Sequence, residues 1–112
     1  MLLSGNAGLF GTRTRTDVLV LIAHMQETHA SEIARLLEIS LSTAQNALDS
    51  LESAGVVAGA FEGSARRVRL DPRYFARDEL RALLDRMAEH DPELRERIAT
   101  IRRRPRRSGK PL

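Results

Sequence analysis

Apolar residues recur along most of this chain at spacings of three and four, which place them on one face of a helix. The pattern predicts a well-buried helix over residues 13–25 and two short helices within residues 31–55. Two more helices are predicted within residues 78–101, where Asp78 can cap the first and Asp91-Pro92 can begin the second. The chain is therefore expected to be mainly α-helical.

The two short helices meet at a tight polar junction. Ser31 can start the first helix, and Ile39 can fill the corner between the two. Ser40 can cap the second helix through its hydroxyl group, and Gly55 can end it where a left-handed backbone conformation is needed. Two helices joined by so short a turn predict a helix-turn-helix, in which the second helix is the recognition helix.

After the second short helix, the spacing of apolar residues changes from helical to alternating. Two alternating arms within residues 56–70 flank the turn-like run Glu62-Gly63-Ser64-Ala65, which predicts a β-hairpin. In the second arm one face is apolar and the other is cationic. The alternating residues are Val68 and Leu70 on the first face and Arg67 and Arg69 on the second.

Together these segments resemble the winged helix-turn-helix of the arsenical-repressor-like (ArsR-type) bacterial regulators. SEIARLLEIS is similar to their first helix and turn, LSTAQNALDSLESAG to their recognition helix, and VVAGAFEGSARRVRL to their wing. LFGTRTRTDVLVLIA is similar to the opening helix of one group of these proteins. The resemblance covers about residues 9–77. It implies a mainly α fold with a small β-hairpin wing, a winged helix-turn-helix with C-terminal helices.

The chain is expected to have four parts. They are a flexible lead-in at residues 1–12, a winged helix-turn-helix domain at 13–77, C-terminal helices at 78–101 and a basic disordered tail at 102–112. The tail has six of the 18 basic residues and no acidic residue, so the remainder carries 12 basic and 15 acidic residues. The formal net charge of +3 therefore comes from the tail, and the rest of the chain is mildly acidic.

Contacts with DNA are predicted on the recognition helix and the wing. The predicted base contacts are Ser42, Thr43, Gln45 and Asn46, since amides can pair with adenine and hydroxyl groups can donate or accept. The predicted backbone contacts are Arg66, Arg67 and Arg69 in the wing and Arg13 and Arg15 in the first helix. The alternative is an ordinary solvated surface. It is favoured by the absence of Lys and Arg from the recognition helix, and by Asp49 and Glu52, which would repel phosphate.

The leucines of residues 78–101 can either close the core or form a dimer surface. The domain before them already supplies a small core, so we expect the dimer surface. The resemblance implies the same, because ArsR-type relatives dimerise through terminal helices. The predicted dimerisation residues are Leu80, Leu83, Leu84, Met87, Leu94 and Ile98.

Several kinds of chemistry are not expected. The absence of cysteine excludes disulfides and thiolate metal sites, and His24, His29 and His90 are scattered, so no metal site is predicted. Neither a nucleotide-binding loop nor a nucleophile motif is present, so we predict no cofactor and no enzyme activity. The apolar run at residues 18–23 is too short to span a membrane, and no signal peptide is recognised. A cytoplasmic protein is therefore expected.

The sequence thus predicts a sequence-specific regulator of transcription that binds double-stranded DNA as a homodimer. Its recognition helix would lie in the major groove and its wing on the backbone. The alternative is a winged-helix module that binds protein and not DNA, which the acidic balance of the domain favours. The sequence identifies no small-molecule effector.

Overall fold

The computed structural model describes residues 9–103, and side chains within residues 9–100. In that range the elements are α1 (Arg13–Met25), β1 (Thr28–His29), α2 (Ala30–Leu37), α3 (Leu41–Ser53), β2 (Val57–Glu62), β3 (Ala65–Leu70), α4 (Arg77–Glu89) and α5 (Pro92–Arg103). Most of the predicted lead-in, and the predicted tail beyond Arg103, lie outside the described residues. No helix of residues 9–103 is long and apolar enough to cross a membrane.

α1 is the central helix. Its start is capped by Thr12, whose hydroxyl group accepts a hydrogen bond from the backbone N–H of Arg15 at 3.1 Å. Residues 16–23 are buried without interruption, because α3, β3 and α4 all pack around this helix. The broad apolar face expected from the sequence therefore belongs to a helix that is covered on nearly every side.

α2 and α3 form the expected helix-turn-helix. The hydroxyl group of Ser40 accepts a hydrogen bond from the backbone N–H of Thr43 at 3.0 Å and so caps α3, as predicted. The turn passes through Glu38, whose φ of 59° is left-handed, and Ile39 packs partly buried against the core. α2 differs from the prediction, since it begins at Ala30 without a capping side chain and not after Ser31.

β2 and β3 form the wing, joined by a two-residue turn. Gly63, the first turn residue, has a φ of 63°, which is the left-handed conformation that a type II′ hairpin turn needs at this position. The short strand β1 pairs with β3 on its other side, so the sheet order is β1-β3-β2 with all neighbours antiparallel. The fold class predicted from the sequence is thus confirmed, with helices following the wing.

α4 and α5 complete the core of the single chain, which corrects the predicted dimer surface. α4 lies against α1 and α5 lies against α4, so residues 16–23 of α1, which are buried on all sides, are covered within the single chain. The exposed fractions of Leu84, Met87, Leu94 and Ile98 are 0, 4, 0 and 3%. These four residues are therefore not available to a partner, whereas Leu80 is half-buried and Leu83 is 45% exposed.

Candidate nucleic-acid interface

The outer side of α3 carries a polar face. Ser42, Thr43 and Asn46 are exposed, and Gln45 is half-buried. The opposite side of the helix, which includes Ala44, Leu48 and Leu51, is buried against the core. The apolar side fixes the helix in place, so the four residues predicted to contact bases lie together on one outward surface.

The strand alternation of the wing separates its arginines. Arg66 lies on the same face of β3 as Val68 and Leu70, which is the face turned towards α3 and the core. Arg67 and Arg69 lie on the opposite face. The three arginines therefore have different surroundings, although all three lie within residues 66–69.

Arg66 joins the wing to the recognition helix. Its Nη2 donates a hydrogen bond to Asp49 Oδ1 at 2.8 Å and lies 3.4 Å from Glu52 Oε2. Its side chain is only 11% exposed. The guanidinium group of Arg66 thus compensates the two carboxylates of α3, and its predicted phosphate contact stays a prediction.

A glycine leaves room for this contact between wing and helix. A Cβ atom built on Gly59 in β2 would lie 2.2 Å from Glu52 Oε2 and 3.3 Å from the carbonyl oxygen of Arg67. The absence of a side chain at Gly59 lets the Glu52 carboxylate approach the hairpin, where Arg66 meets it.

On the other face of the wing, Arg67 and Arg69 differ in their partners. Arg67 Nη1 donates to Glu62 Oε1 at 2.8 Å and its Nη2 donates to Glu27. The hydrogen bonds to Glu62 and Glu27 raise the pKa of Arg67 above its ordinary value, so it stays charged but compensated. Arg69 is exposed, and no acidic group among the described residues lies within ion-pair distance of it. Of the three wing arginines, Arg69 is therefore the one whose charge no carboxylate of the described residues compensates by an ion pair.

Arg13 and Arg15 line two different clefts near opposite ends of α3. Arg13 is exposed and lines a cleft of about 270 Å³ with the helix-turn-helix corner at Glu38 and Ile39. Arg15 is half-buried and lines a different cleft, of about 220 Å³, beside Ala54 at the end of α3. Neither cleft is lined by residues 42–46. The backbone contacts predicted for Arg13 and Arg15 stay predictions.

Two buried carboxyl groups lie near the junction of α1 and α5. Burial raises the pKa of Asp17 to about 6, against an opposing effect of Arg13, and burial also raises the pKa of Asp91. Asp91 Oδ1 accepts a hydrogen bond from the backbone N–H of Leu94 at 3.1 Å and so caps α5. Across the described residues, the His, Asp and Glu side chains form no group of three that could hold a metal ion.

Several important residues of the interface were not identified from the sequence. The partners of the wing arginines, Asp49, Glu27 and Glu62, were not foreseen, nor was the role of Gly59. One available signal was the period of two in β3, because it places Arg66 with Val68 and not with Arg67. Phe61, the partner of Arg66 in the hairpin register, has no sequence pattern that marks it as part of the interface.

Comparisons with known proteins agree on the kind of fold. A family model described as the MarR family matches residues 12–67, which is half of the chain. The crystal structure of the adhesin competence repressor (AdcR) from Streptococcus pyogenes is similar, with a TM-score of 0.57 and 18% sequence identity. That similarity covers 84% of this chain and 68% of the repressor chain. No curated protein matches the sequence. At this identity, the structural similarity supports the winged-helix fold alone.

Proposed function

Since this chain belongs to the MarR family, we propose that it binds specific sites in double-stranded DNA through the polar face of α3. Membership of this family makes it a DNA-binding regulator of transcription. The predicted resemblance to ArsR-type regulators is confirmed for the winged helix-turn-helix, whereas the family found is MarR. A role without catalysis is part of the proposal, as is the predicted cytoplasmic location.

The observation that carries the proposal is the compensated polar face of α3. A helix with two acidic residues on its outer side would repel the phosphates that flank a major groove. Arg66 bonds one of these residues, Asp49, and contacts the other, Glu52, so the repulsion is reduced where the helix would enter. Gln45 and Asn46 lie four and three residues before Asp49, respectively, and can pair with adenine edges.

The proposed contacts divide between sequence recognition and positioning. Ser42, Thr43, Gln45 and Asn46 are proposed to contact bases, and Arg69 is proposed to contact a phosphate. Arg67 has a smaller share because two carboxylates already compensate it. The tail at residues 102–112, which contains six basic residues and no acidic residue, is proposed to add affinity that does not depend on sequence.

A homodimer is proposed as the binding unit. A two-fold dimer would place two α3 helices in successive major grooves, about 34–36 Å apart, and would recognise a palindromic site. The surface available for the dimer includes Leu83 of α4, because Leu83 is exposed. Its neighbours Leu84 and Met87 are buried in the core of the single chain.

A winged-helix module that binds protein is the second candidate. The observation in its favour is the charge of the fold, since residues 1–101 carry more acidic than basic groups. Asp49 also keeps 66% of its side chain exposed in spite of the ion pair with Arg66.

A comparison of two sets of variants tests the proposal on duplexes selected from random DNA. Arg69→Ala should weaken binding to every duplex and reduce the salt dependence by about one unit, because one phosphate contact is lost. Gln45→Ala and Asn46→Ala should leave the salt dependence unchanged. Each should reduce the preference for the selected site by roughly 1–3 kcal/mol, as expected for a lost base contact.

The outcomes separate the two candidate functions. If the wild-type protein binds no duplex at low salt, the protein-binding module is the better description. If it binds but Gln45→Ala and Asn46→Ala keep full discrimination, α3 does not recognise the bases through these residues.

A further inference from the structure

Phe61 is a large apolar side chain near the outer end of the wing. It is 69% exposed and lies two residues before Gly63, where the hairpin turns. A phenylalanine in a strand is ordinarily covered by the sheet's neighbours, as Val57 of the same strand is. Within the described residues, nothing covers most of the ring of Phe61.

The register of the hairpin shows which way this side chain faces. Phe61 alternates with Val57 and Gly59, so all three belong to the face of β2 that is turned towards α3. The position of Gly59 against the Glu52 carboxylate independently identifies that face. Phe61 is therefore on the recognition-helix side of the wing and not on the side of Arg67.

The ion pairs of Arg66 place Phe61 along the length of α3. Arg66 is the residue directly opposite Phe61 in the hairpin, and its guanidinium group bonds Asp49. Moving outward along β2 from Gly59 to Phe61 corresponds to moving along α3 from Glu52 to Asp49. The next turn of α3 in that direction carries Gln45 and Asn46, the proposed base contacts.

We propose that Phe61 contacts DNA, with its ring against the sugars and base edges of the minor groove that adjoins the α3 site. This inference rests on the proposed function. A side chain beside the recognition helix meets the same duplex when α3 occupies a major groove, and apolar side chains that enter a minor groove widen it and partly unstack a base step. Phenylalanine has no hydrogen-bonding group, so it cannot distinguish bases by their donors and acceptors.

The proposed consequence is a preference that depends on the deformability of DNA beside the bases contacted by α3. Pyrimidine–purine steps such as TA unstack easily, whereas A-tracts are stiff and have a narrow minor groove. The structure therefore assigns two kinds of recognition to neighbouring elements, with hydrogen bonding from α3 and apolar contact from Phe61.

The test compares Phe61→Ala and Phe61→Leu with Phe75→Ala in the full chain. Phe75 is a suitable control because it is 91% exposed but lies after β3, at the opposite end of the hairpin from the turn. The probes are the selected duplex with a TA step at the flank, the same duplex with an A-tract there, and a version with 2-aminopurine at the flanking step. Circular dichroism melting shows that each variant is folded.

Phe61→Ala is expected to weaken binding to the TA-flanked duplex roughly tenfold, as for other aromatic contacts with DNA, with no change in salt dependence. It should also remove the difference between the TA and A-tract flanks and the rise in 2-aminopurine fluorescence on binding. Phe61→Leu should keep most of each effect, and Phe75→Ala should behave as the wild type.

The proposal is overturned if Phe61→Ala binds both duplexes as the wild type does while Gln45→Ala still loses discrimination. In that case the proposed function stands and the contact by Phe61 does not exist. If the wild-type protein binds no duplex, the proposed function and this inference fail together.

Discussion

Asp17 illustrates how the surroundings of one residue decide its effect on the whole fold. It lies on α1 among residues that are all buried, and only 6% of it is exposed. Its Oδ1 has no hydrogen-bond partner among the described residues, and the buried Asp91 lies close enough to raise its pKa further. A carboxylate in such a place is costly to ionise, which is why the pKa rises to about 6.

We expect Asp17 to make the protein less stable as the pH rises through about 6. The pKa in the folded state is higher than the ordinary value of 3.8, so the folded state holds the proton more tightly than the unfolded state. The stabilising contribution is complete below pH 3.8 and is lost by about pH 7, and it amounts to about 3 kcal/mol at 1.36 kcal/mol per pKa unit. The raised pKa of Asp91 acts in the same direction.

Urea unfolding of Asp17→Asn at pH 5 and pH 7.5 checks this expectation. The variant should be more stable than the wild type at the higher pH and should lose part of the pH dependence. Asp78→Asn is the control. The Asp78 side chain is 83% exposed, so this substitution should leave the stability at both pH values unchanged. The raised pKa of Asp17 would be contradicted if the wild type became more stable from pH 5 to pH 7.5. It would also be contradicted if Asp17→Asn had the same pH dependence of stability as the wild type.

At the scale of elements, local signals in the sequence were enough to locate helices and strands. The apolar spacing gave α1 its bounds, and the hydroxyl group of Ser40 marked the start of α3. The start of α4 was less clear, since that helix begins at Arg77 with no capping side chain where Asp78 was expected to cap it. Errors of this size arise because helix ends depend on contacts with other elements.

The relations between elements could not be found in the same way. Arg66 and Asp49 are 17 positions apart, and Arg67 and Glu27 are 40 apart, so no local pattern connects either pair. The polar face of α3 was foreseen because it is a property of one helix. The charges that compensate it were not foreseen, because they depend on how the wing packs against that helix.

The contact between the wing and α3 predicts coupling between Arg66 and Asp49 in DNA binding. Arg66→Ala should weaken binding because it leaves two carboxylates uncompensated beside the phosphates. Asp49→Asn should recover much of the loss in the double variant, so that the effects of the two changes are not additive. Arg69 makes no contact with Asp49. The effects of Asp49→Asn and Arg69→Ala on the free energy of DNA binding should therefore be additive.

Fluorescence anisotropy on one duplex at three salt concentrations gives both double-mutant cycles. The expected result is a coupling of about 0.5–3 kcal/mol for Arg66 with Asp49, the range seen for residues in contact, and none beyond error for Arg69 with Asp49. Equal coupling in the two cycles would mean that Asp49 acts only through its distant charge. Arg66 would then have no special role in joining the wing to α3.

At the scale of the whole molecule, the burial of α1 determines what the C-terminal helices can do. A central helix with apolar residues on every side must be covered by the rest of the same chain if the monomer is to fold. α4 and α5 supply that cover with Leu84, Met87, Leu94 and Ile98. From the sequence alone these four residues look like a surplus, because the domain before them already supplies a small core and the need of α1 for further cover is not visible.

Two neighbouring leucines of α4 distinguish folding from dimerisation. Leu83→Glu changes a residue that is 45% exposed, so the proposed dimer should dissociate into folded monomers. Leu84 is the next residue and is fully buried, so Leu84→Glu places a charge in the core and should unfold the protein. Even Leu84→Ala should cost about 2–5 kcal/mol, a large part of the typical stability of a small domain.

Sedimentation velocity together with thermal melting separates these effects. The wild type should sediment as a dimer at micromolar concentrations, and Leu83→Glu should sediment as a monomer with a melting temperature near that of the wild-type subunit. A monomeric wild type would show that the homodimer proposal is wrong. A dimeric, folded Leu83→Glu would instead place the interface on another surface, since a new carboxylate facing its own symmetry mate should not be tolerated in a tightly packed interface.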